Sequence, residues 1–151
     1  MSKILYQSAV AFAACFFFSI TFNTPKRELV FCGFTGALGW FIYCIVVHGF
    51  NGDPVTGSFF GALALTASCR FLSHIRQAPS TIYLIPGILP LVPGSQIYNT
   101  MYGILDGDMV YSYTQGVLTA KLAGVIALGV MIILSLPYAC FNFIKKWQKN
   151  T

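Results

Sequence analysis

Charged side chains are scarce in this chain of 151 residues. Only 9% of the residues are Asp, Glu, Lys or Arg, against about 25% in typical soluble domains. Hydrophobic residues make up 56%, and they fall in long runs rather than alternating with polar ones. So few charges cannot build a water-soluble surface. The composition therefore indicates an integral membrane protein.

Motifs of enzyme chemistry are also missing. The sequence has no recognisable Ser-His-Asp set, no HExxH, no phosphate-binding glycine loop and no pair of acids within an apolar run. We therefore expect neither an enzyme nor a bound cofactor. The scarcity of acids also removes the obvious carrier for a coupled proton.

The cysteines form no recognisable site. They occur without a CxxC pair and without a histidine at ligand spacing, which argues against a disulfide framework or a metal site. We expect them to act as small buried hydrophobes. They are Cys15, Cys32, Cys44, Cys69 and Cys140.

Five apolar runs are long enough to cross a bilayer, since a helix needs about 20 residues for that. We predict an all-α, polytopic membrane protein with a single transmembrane domain over residues 1–151. The first run is interpreted as an uncleaved span, because the chain stays apolar after Cys15, where a processed lipoprotein would turn polar. The predicted spans are residues 4–22, 29–47, 55–72, 82–102 and 116–143.

The basic residues are scattered and form no stripe that could bind nucleic acid. Five crossings place seven of them on one side and only Lys3 on the other. The positive-inside rule then puts the N-terminus outside and the C-terminus in the cytoplasm. A re-entrant fourth run would instead put both termini on one side. The seven are Lys26, Arg27, Arg70, Arg76, Lys145, Lys146 and Lys149.

The second helix has a predicted start. Thr24 is expected to cap it, with Pro25 at its first position and Glu28 in its first turn, where the helix dipole favours an acid.

The fourth run carries prolines at Pro86, Pro90 and Pro93, with Gly87 and Gly94 between and after them. Each proline lacks an N–H and frees the carbonyl four residues earlier. Freed carbonyls cannot face lipid, so they must be buried in protein or line a watery cavity. The sequence thus predicts a helix broken near the bilayer middle. The alternative is a kinked structural helix satisfied by its neighbours.

Beyond the break, Ser95 is expected to cap a second half-helix, which leaves the N–H groups of Gln96 and Ile97 free for a carboxylate. Tyr98 and Asn99 add polar groups one turn further. Lys121, within the last span, has two open interpretations. It either binds a substrate carboxylate or extends outward towards Asp106 or Asp108.

Several segments resemble the threonine/serine exporter family, in its second, smaller half. They are Asn23-x-Pro25-x-Arg27, Gly36-Ala37-Leu38-Gly39-Trp40, Arg76-x-x-Pro79 and the run from Ile85 to Ser95 with Tyr98. The resemblance covers about residues 22–108, and the proline-glycine run is its specific part. It implies a bacterial inner-membrane exporter of small amino acids such as threonine and serine, or of dicarboxylates such as succinate. It also implies a larger subunit of the same family as partner.

Three functions remain open at this point. The first is a transporter subunit that binds a small carboxylate or amino-acid substrate at Pro86, Gly87, Pro90, Pro93, Gly94, Ser95, Tyr98, Asn99 and Lys121. The second is a non-transporting assembly or scaffold subunit, and the third is a homo-oligomeric channel in the lipid bilayer. The first two hypotheses are distinguished by whether water reaches the proline-glycine run, as the transporter hypothesis predicts. Activity without a partner would indicate the third.

Overall fold

The structure is a computed structural model that describes residues 2–50 and 52–136, and in that part of the chain every regular element is helical. The predicted all-α class is therefore confirmed. The helices are α1 (Ser2–Thr21), α2 (Leu29–Cys44, continued by a π-helical turn Ile45–Gly49), α3 (Pro54–Arg76), α4 (Thr81–Ile88), α5 (Gly94–Asp106) and α6 (Met109–Ser135). A 3₁₀ turn, Leu89–Leu91, follows α4.

Helices α1, α2 and α3 pack as an antiparallel bundle at glycine contacts. A Cβ on Gly61 would lie only 3.0 Å from the carbonyl oxygen of Gly39. A Cβ on Gly57 would meet the Val47 side chain at 2.5 Å. The backbones of α2 and α3 approach this closely only because the residues between them lack side chains.

We call the two ends of this bundle the Pro54 end, where α3 begins, and the Arg76 end, where α3 stops. The Cys44 thiol donates to Gln7 Oε1 at 3.1 Å, so the end of α2 and the start of α1 lie at the Pro54 end. Helix α4 starts at the Arg76 end and runs antiparallel to α3. Its continuation brings Leu91 beside Gly61.

Helix α2 begins differently from the prediction. Its first residue is Leu29, and no side chain caps it, so Thr24 is not the cap. Pro25 lies in a preceding turn, where its carbonyl accepts the N–H of Glu28 at 2.8 Å. The Glu28 carboxylate is drawn away from the helix start because it pairs with Arg76.

Helix α6 begins at Met109, seven residues before the predicted start of the last span at 116. Residues 109–115, which mix apolar and polar side chains, are helical because they pack against α5: the Ser112 hydroxyl donates to the Thr100 carbonyl at 2.8 Å. The Asp108 side chain accepts from the N–H of Tyr111 and caps the new start. Residues 137–143 of the predicted span lie outside the described residues.

The C-terminal turn of α6 is held by Arg70 of α3. This side chain is buried, with 6% of its surface exposed, and its guanidinium donates to the carbonyls of Ile133, Leu134 and Leu136. A cation at this position also suits the negative end of the helix dipole. Arg70 therefore stabilises the contact between α3 and α6, in addition to any effect of its charge on the orientation of the protein in the membrane.

Four described helices are long and apolar enough to cross a membrane: α1, α2 with its π turn, α3 and α6. The fourth segment is broken, as its prolines predicted: it consists of two short helices joined by an irregular turn. Together these two helices run from the Arg76 end to the Pro54 end and beyond it.

The four described cysteines are buried and free, as expected; Cys140 lies outside the described residues. No cluster of His, Cys, Asp or Glu suited to a metal occurs in residues 2–50 and 52–136.

Candidate substrate site at the broken fourth segment

The fourth segment is interrupted between α4 and α5. After the 3₁₀ turn, Val92 is extended, with φ −62° and ψ 131°, and α5 starts two residues later at Gly94. A proline disfavours the α conformation in the residue before it. Pro93 therefore accounts for the extended geometry of Val92.

Two of the carbonyls freed by the prolines have found donors. The Ile82 carbonyl, released by Pro86, accepts from the Cys32 thiol at 3.4 Å. The Leu89 carbonyl, released by Pro93, accepts the N–H of Val92 at 3.2 Å. The first freed carbonyl is thus hydrogen-bonded to α2, and the second is hydrogen-bonded within the broken segment itself.

A cavity of about 280 Å³ opens beside the break, and we call it the break cavity. It lies next to the first two turns of α3. The cavity is therefore close to the Pro54 end, whereas the sequence predicted a break near the middle of the bilayer. Helices α2, α3 and α6 and the broken segment all contribute to its wall. The lining residues are Trp40, Tyr43, Pro54, Ser58, Pro90, Leu91, Val92, Pro93, Gly94, Ser95, Gln96 and Leu122.

The predicted site residues divide into three groups. Pro90, Pro93, Gly94 and Ser95 line the break cavity. Pro86 and Gly87 are buried against the bundle instead. Tyr98, Asn99 and Lys121 do not line this cavity.

The last three residues lie on faces of α5 and α6 that do not line the cavity. Tyr98 is 68% exposed, and its ring stacks on that of Tyr102 with centroids 6.4 Å apart. Lys121 is exposed on α6, and its neighbour Leu122 takes the place in the cavity wall. Because α6 starts at Met109, Lys121 is its thirteenth residue rather than a residue near its start.

Helix α5 starts at Gly94, two residues before the start predicted with Ser95 as the cap. Ser95 lies inside the helix, and its hydroxyl donates to Gln96 Oε1 at 2.9 Å, so it is not the cap. The N–H of Ile97 is already bonded to the Pro93 carbonyl. Among the described residues, the N–H groups of Ser95 and Gln96 have no backbone acceptor, and both residues line the cavity.

Sequence reasoning missed the aromatic and polar residues on the other walls. Trp40 and Tyr43 are one helical turn apart on α2, with ring centroids 4.9 Å apart. Ser58 of α3 and Gln96 of α5 add polar groups. Only the three-residue spacing of the two aromatics was visible in the sequence, and that spacing is equally common in packed cores.

The cavity therefore combines backbone donors, aromatic faces and neutral polar side chains. No charged side chain lines it in the part of the chain that the structure describes. Backbone N–H groups at a helix start attract a carboxylate, and aromatic faces attract an ammonium group. The arrangement suits a small zwitterion better than a ligand with two negative charges.

A second polar cluster lies at the Arg76 end and joins α2, α3 and α4. Arg76 Nε lies 2.8 Å from Glu28 Oε2, and Arg76 Nη2 lies 2.8 Å from Glu28 Oε1. The Tyr83 hydroxyl donates to Glu28 Oε2 at 2.6 Å. Hydrogen bonds from Arg76 hold the pKa of the Glu28 carboxyl below its usual value. The cluster is a charged contact between three helices.

A helical bundle with four candidate membrane-spanning helices defines a polytopic membrane protein, and a cavity at a broken segment is the kind of place where secondary transporters bind substrate. Comparison with known proteins gives the particular family. The profile described as "Threonine/Serine exporter, ThrE" matches residues 7–136. The chain therefore belongs to the threonine/serine exporter family, as the sequence resemblance predicted.

One relative is the threonine/serine exporter of Corynebacterium glutamicum, which is 29% identical over 116 residues. The match covers 76% of this chain but 23% of that relative. The chain thus spans about a quarter of the length of the curated relative. No solved structure matches this chain.

Proposed function

We propose that this chain is the small subunit of a bacterial inner-membrane secondary exporter and that it binds substrate in the break cavity. The observation that carries the proposal is the cavity itself. It is lined by the family's proline-glycine run and offers the unbonded N–H groups of Ser95 and Gln96 to a ligand.

The chemistry of the cavity favours threonine or serine over succinate. A carboxylate would accept the two N–H groups at the start of α5, and the ammonium group would lie against the aromatic faces of Trp40 and Tyr43. Ser58 or Gln96 would bond the substrate hydroxyl. A dicarboxylate would need a second donor set or a cation, and the described lining supplies no cation.

A larger companion of the same family is part of this proposal. The curated relative extends far beyond the matched segment, and five segments rarely enclose a route alone. We expect expression of this chain alone to leave export unchanged and co-expression with the companion to raise it. Transport by the purified chain alone in liposomes would contradict the two-part arrangement and support the homo-oligomer.

Cavity filling at Gly94 tests the site. Gly94 lines the cavity, and a Cβ on it would have nothing within 4 Å, so a methyl group can be added there without a clash. We expect Gly94→Ala to reduce export slightly and Gly94→Leu to reduce it strongly, with membrane insertion unchanged. Gly124→Leu is the matched control, because Gly124 also faces open space but lies away from the cavity.

Thiol labelling tests whether water and substrate reach the cavity. The Ser95→Cys variant should react with a small water-soluble thiol reagent, and threonine should slow the reaction more than succinate does. The background keeps the four buried cysteines and carries Cys140→Ser. If the thiol of Ser95→Cys did not react and Gly94→Leu exported normally, the segment would be only a kinked structural helix. The scaffold-subunit hypothesis would then be favoured.

A further inference from the structure

A second cavity touches the same broken segment from the opposite end. It has a volume of about 310 Å³ and lies at the Arg76 end, between the α1–α2 connection and α4; we call it the Asn23 cavity. Pro86 lies in its wall, whereas Pro90 lies in the wall of the break cavity. One helical turn of the segment therefore separates the two cavities.

That turn is packed tightly against the bundle. A Cβ on Gly87 would lie 2.8 Å from Leu65 Cδ1, and a Cβ on Gly36 would lie 3.5 Å from the Gly87 Cα. The two cavities are therefore separated by close contact between α4 and α2, with Leu65 of α3 against it. A route between them opens only if α4 moves away from this contact.

The cluster of Glu28, Arg76 and Tyr83 holds α4 in place beside the Asn23 cavity. Tyr83 is fully buried and directly follows Ile82, which lines that cavity. Its hydroxyl is bonded to a carboxylate that Arg76 of α3 holds through both oxygens. Moving α4 outward at the Arg76 end would break the bond between Tyr83 and Glu28.

We propose that Glu28, Arg76 and Tyr83 form the latch of a gate at the Arg76 end and that this structure is the latched state. The proposal rests on the proposed transport through the break cavity, since an exporter must expose its site to each side in turn. The irregular turn from Leu89 to Pro93, between α4 and α5, is the hinge. It lets α4 move at the Arg76 end while the start of α5 stays at the break cavity.

The test compares two thiol probes in membranes that contain the full chain with its companion. Ile82→Cys reports the Asn23 cavity, since Ile82 lines it and is partly buried in this structure, and Ser95→Cys reports the break cavity, each labelled by an impermeant reagent in the Cys140→Ser background. Tyr83→Phe removes the latch hydroxyl and keeps the ring. We expect labelling of the Ile82→Cys probe to rise about tenfold or more, as loss of a hydrogen bond to a charged group implies, and labelling of the Ser95→Cys probe to fall.

Further variants keep the test decisive. Glu28→Gln should act like Tyr83→Phe, and it replaces that variant if the phenylalanine form fails to insert. Arg76→Lys should give an intermediate effect, because a lysine keeps the charge but not the two-pronged geometry. Tyr102→Phe is the matched control, since its hydroxyl belongs to an exposed tyrosine outside the cluster.

Opposite changes at the two probes support a gate. A parallel rise at both, no change at either, or a rise at the Asn23 cavity without a fall at the break cavity would overturn it, since each indicates a purely structural contact. Failure of the site proposal is distinguishable from failure of the latch. If substrate does not protect the Ser95→Cys probe, the site is wrong, whereas intact protection with unresponsive probes contradicts only the latch.

Discussion

Gly87 and Gly94 belong to the same proline-glycine run, yet the structure assigns them different roles. A Cβ on Gly87 would lie 2.8 Å from Leu65 Cδ1 and 3.3 Å from Thr35 Oγ1, whereas a Cβ on Gly94 would meet nothing within 4 Å. Alanine should therefore lower the free energy of unfolding at Gly87 but not at Gly94.

The expected magnitudes follow from packing and helix propensity. Alanine gains about 1 kcal/mol over glycine within a helix, and overpacking a dense core costs about 1–3 kcal/mol. At Gly94 only the first effect operates, so Gly94→Ala should leave stability equal or slightly raised. At Gly87 the overpacking outweighs the gain, and Gly87→Ala should lose up to about 2 kcal/mol.

A second substitution identifies the clash. Leu65→Val shortens the side chain that Gly87→Ala would meet, at its own cost of about 1 kcal/mol. The double variant should therefore be more stable than the sum of the two single effects predicts. The assay is reversible unfolding in detergent, followed by helical circular dichroism, for the parent, both single variants and the double variant.

Simple additivity would refute this reasoning, because it would mean that Leu65 does not limit the space at Gly87. A loss of stability in Gly94→Ala as large as that in Gly87→Ala would contradict the open space at Gly94. Gly124→Ala serves as the control for propensity alone, since it adds a methyl group to open space on α6.

Three further predictions concern charged groups and orientation. Arg70→Ala should lower the free energy of unfolding by about 2 kcal/mol, because it leaves the last carbonyls of α6 without their charged donor; Arg70→Lys should lose less, and an unchanged unfolding curve for Arg70→Ala would argue against the contact. The depressed pKa of Glu28 means that its contribution to stability is full above its unfolded pKa of about 4.3 and is lost as the pH falls through the lower folded value. Unfolding measured against pH should show this acid loss in the parent and not in Glu28→Gln. A reporter active only in the cytoplasm should work after Lys149 and fail before Met1 or after Asp108, whereas activity at both termini would indicate an even number of crossings.

Much of the fold followed from one-dimensional patterns. The ends of α1, α2 and α3 agree with the predicted spans to within a few residues, because long apolar runs bounded by polar turns leave few alternatives. The Asp106-Gly107-Asp108 turn was also visible, and Gly107 adopts the left-handed φ of 82° that favours glycine. Local chemistry alone decides such features.

Start points that depend on a neighbouring helix were predicted less well. Residues 109–115 do not continue the long apolar run that follows them, so the pattern did not assign them to the last span; they are helical because α5 provides a hydrogen bond and close packing at Ser112. Glu28 fits the first turn of a helix by its local sequence, but a strong ion pair with a residue 48 positions away determines where its side chain goes.

The sequence by itself determined that this chain is a helical membrane protein and that its fourth segment is broken, because composition and proline chemistry act locally. The tertiary structure alone decided what surrounds the break. Pro86 and Gly87 pack into the bundle while Gly94 and Ser95 face a cavity, although all four belong to one short run of the chain. The reason is that α2 and α3 lie against the first pair but not the second, and the position of one helix beside another depends on contacts between residues distant in the chain.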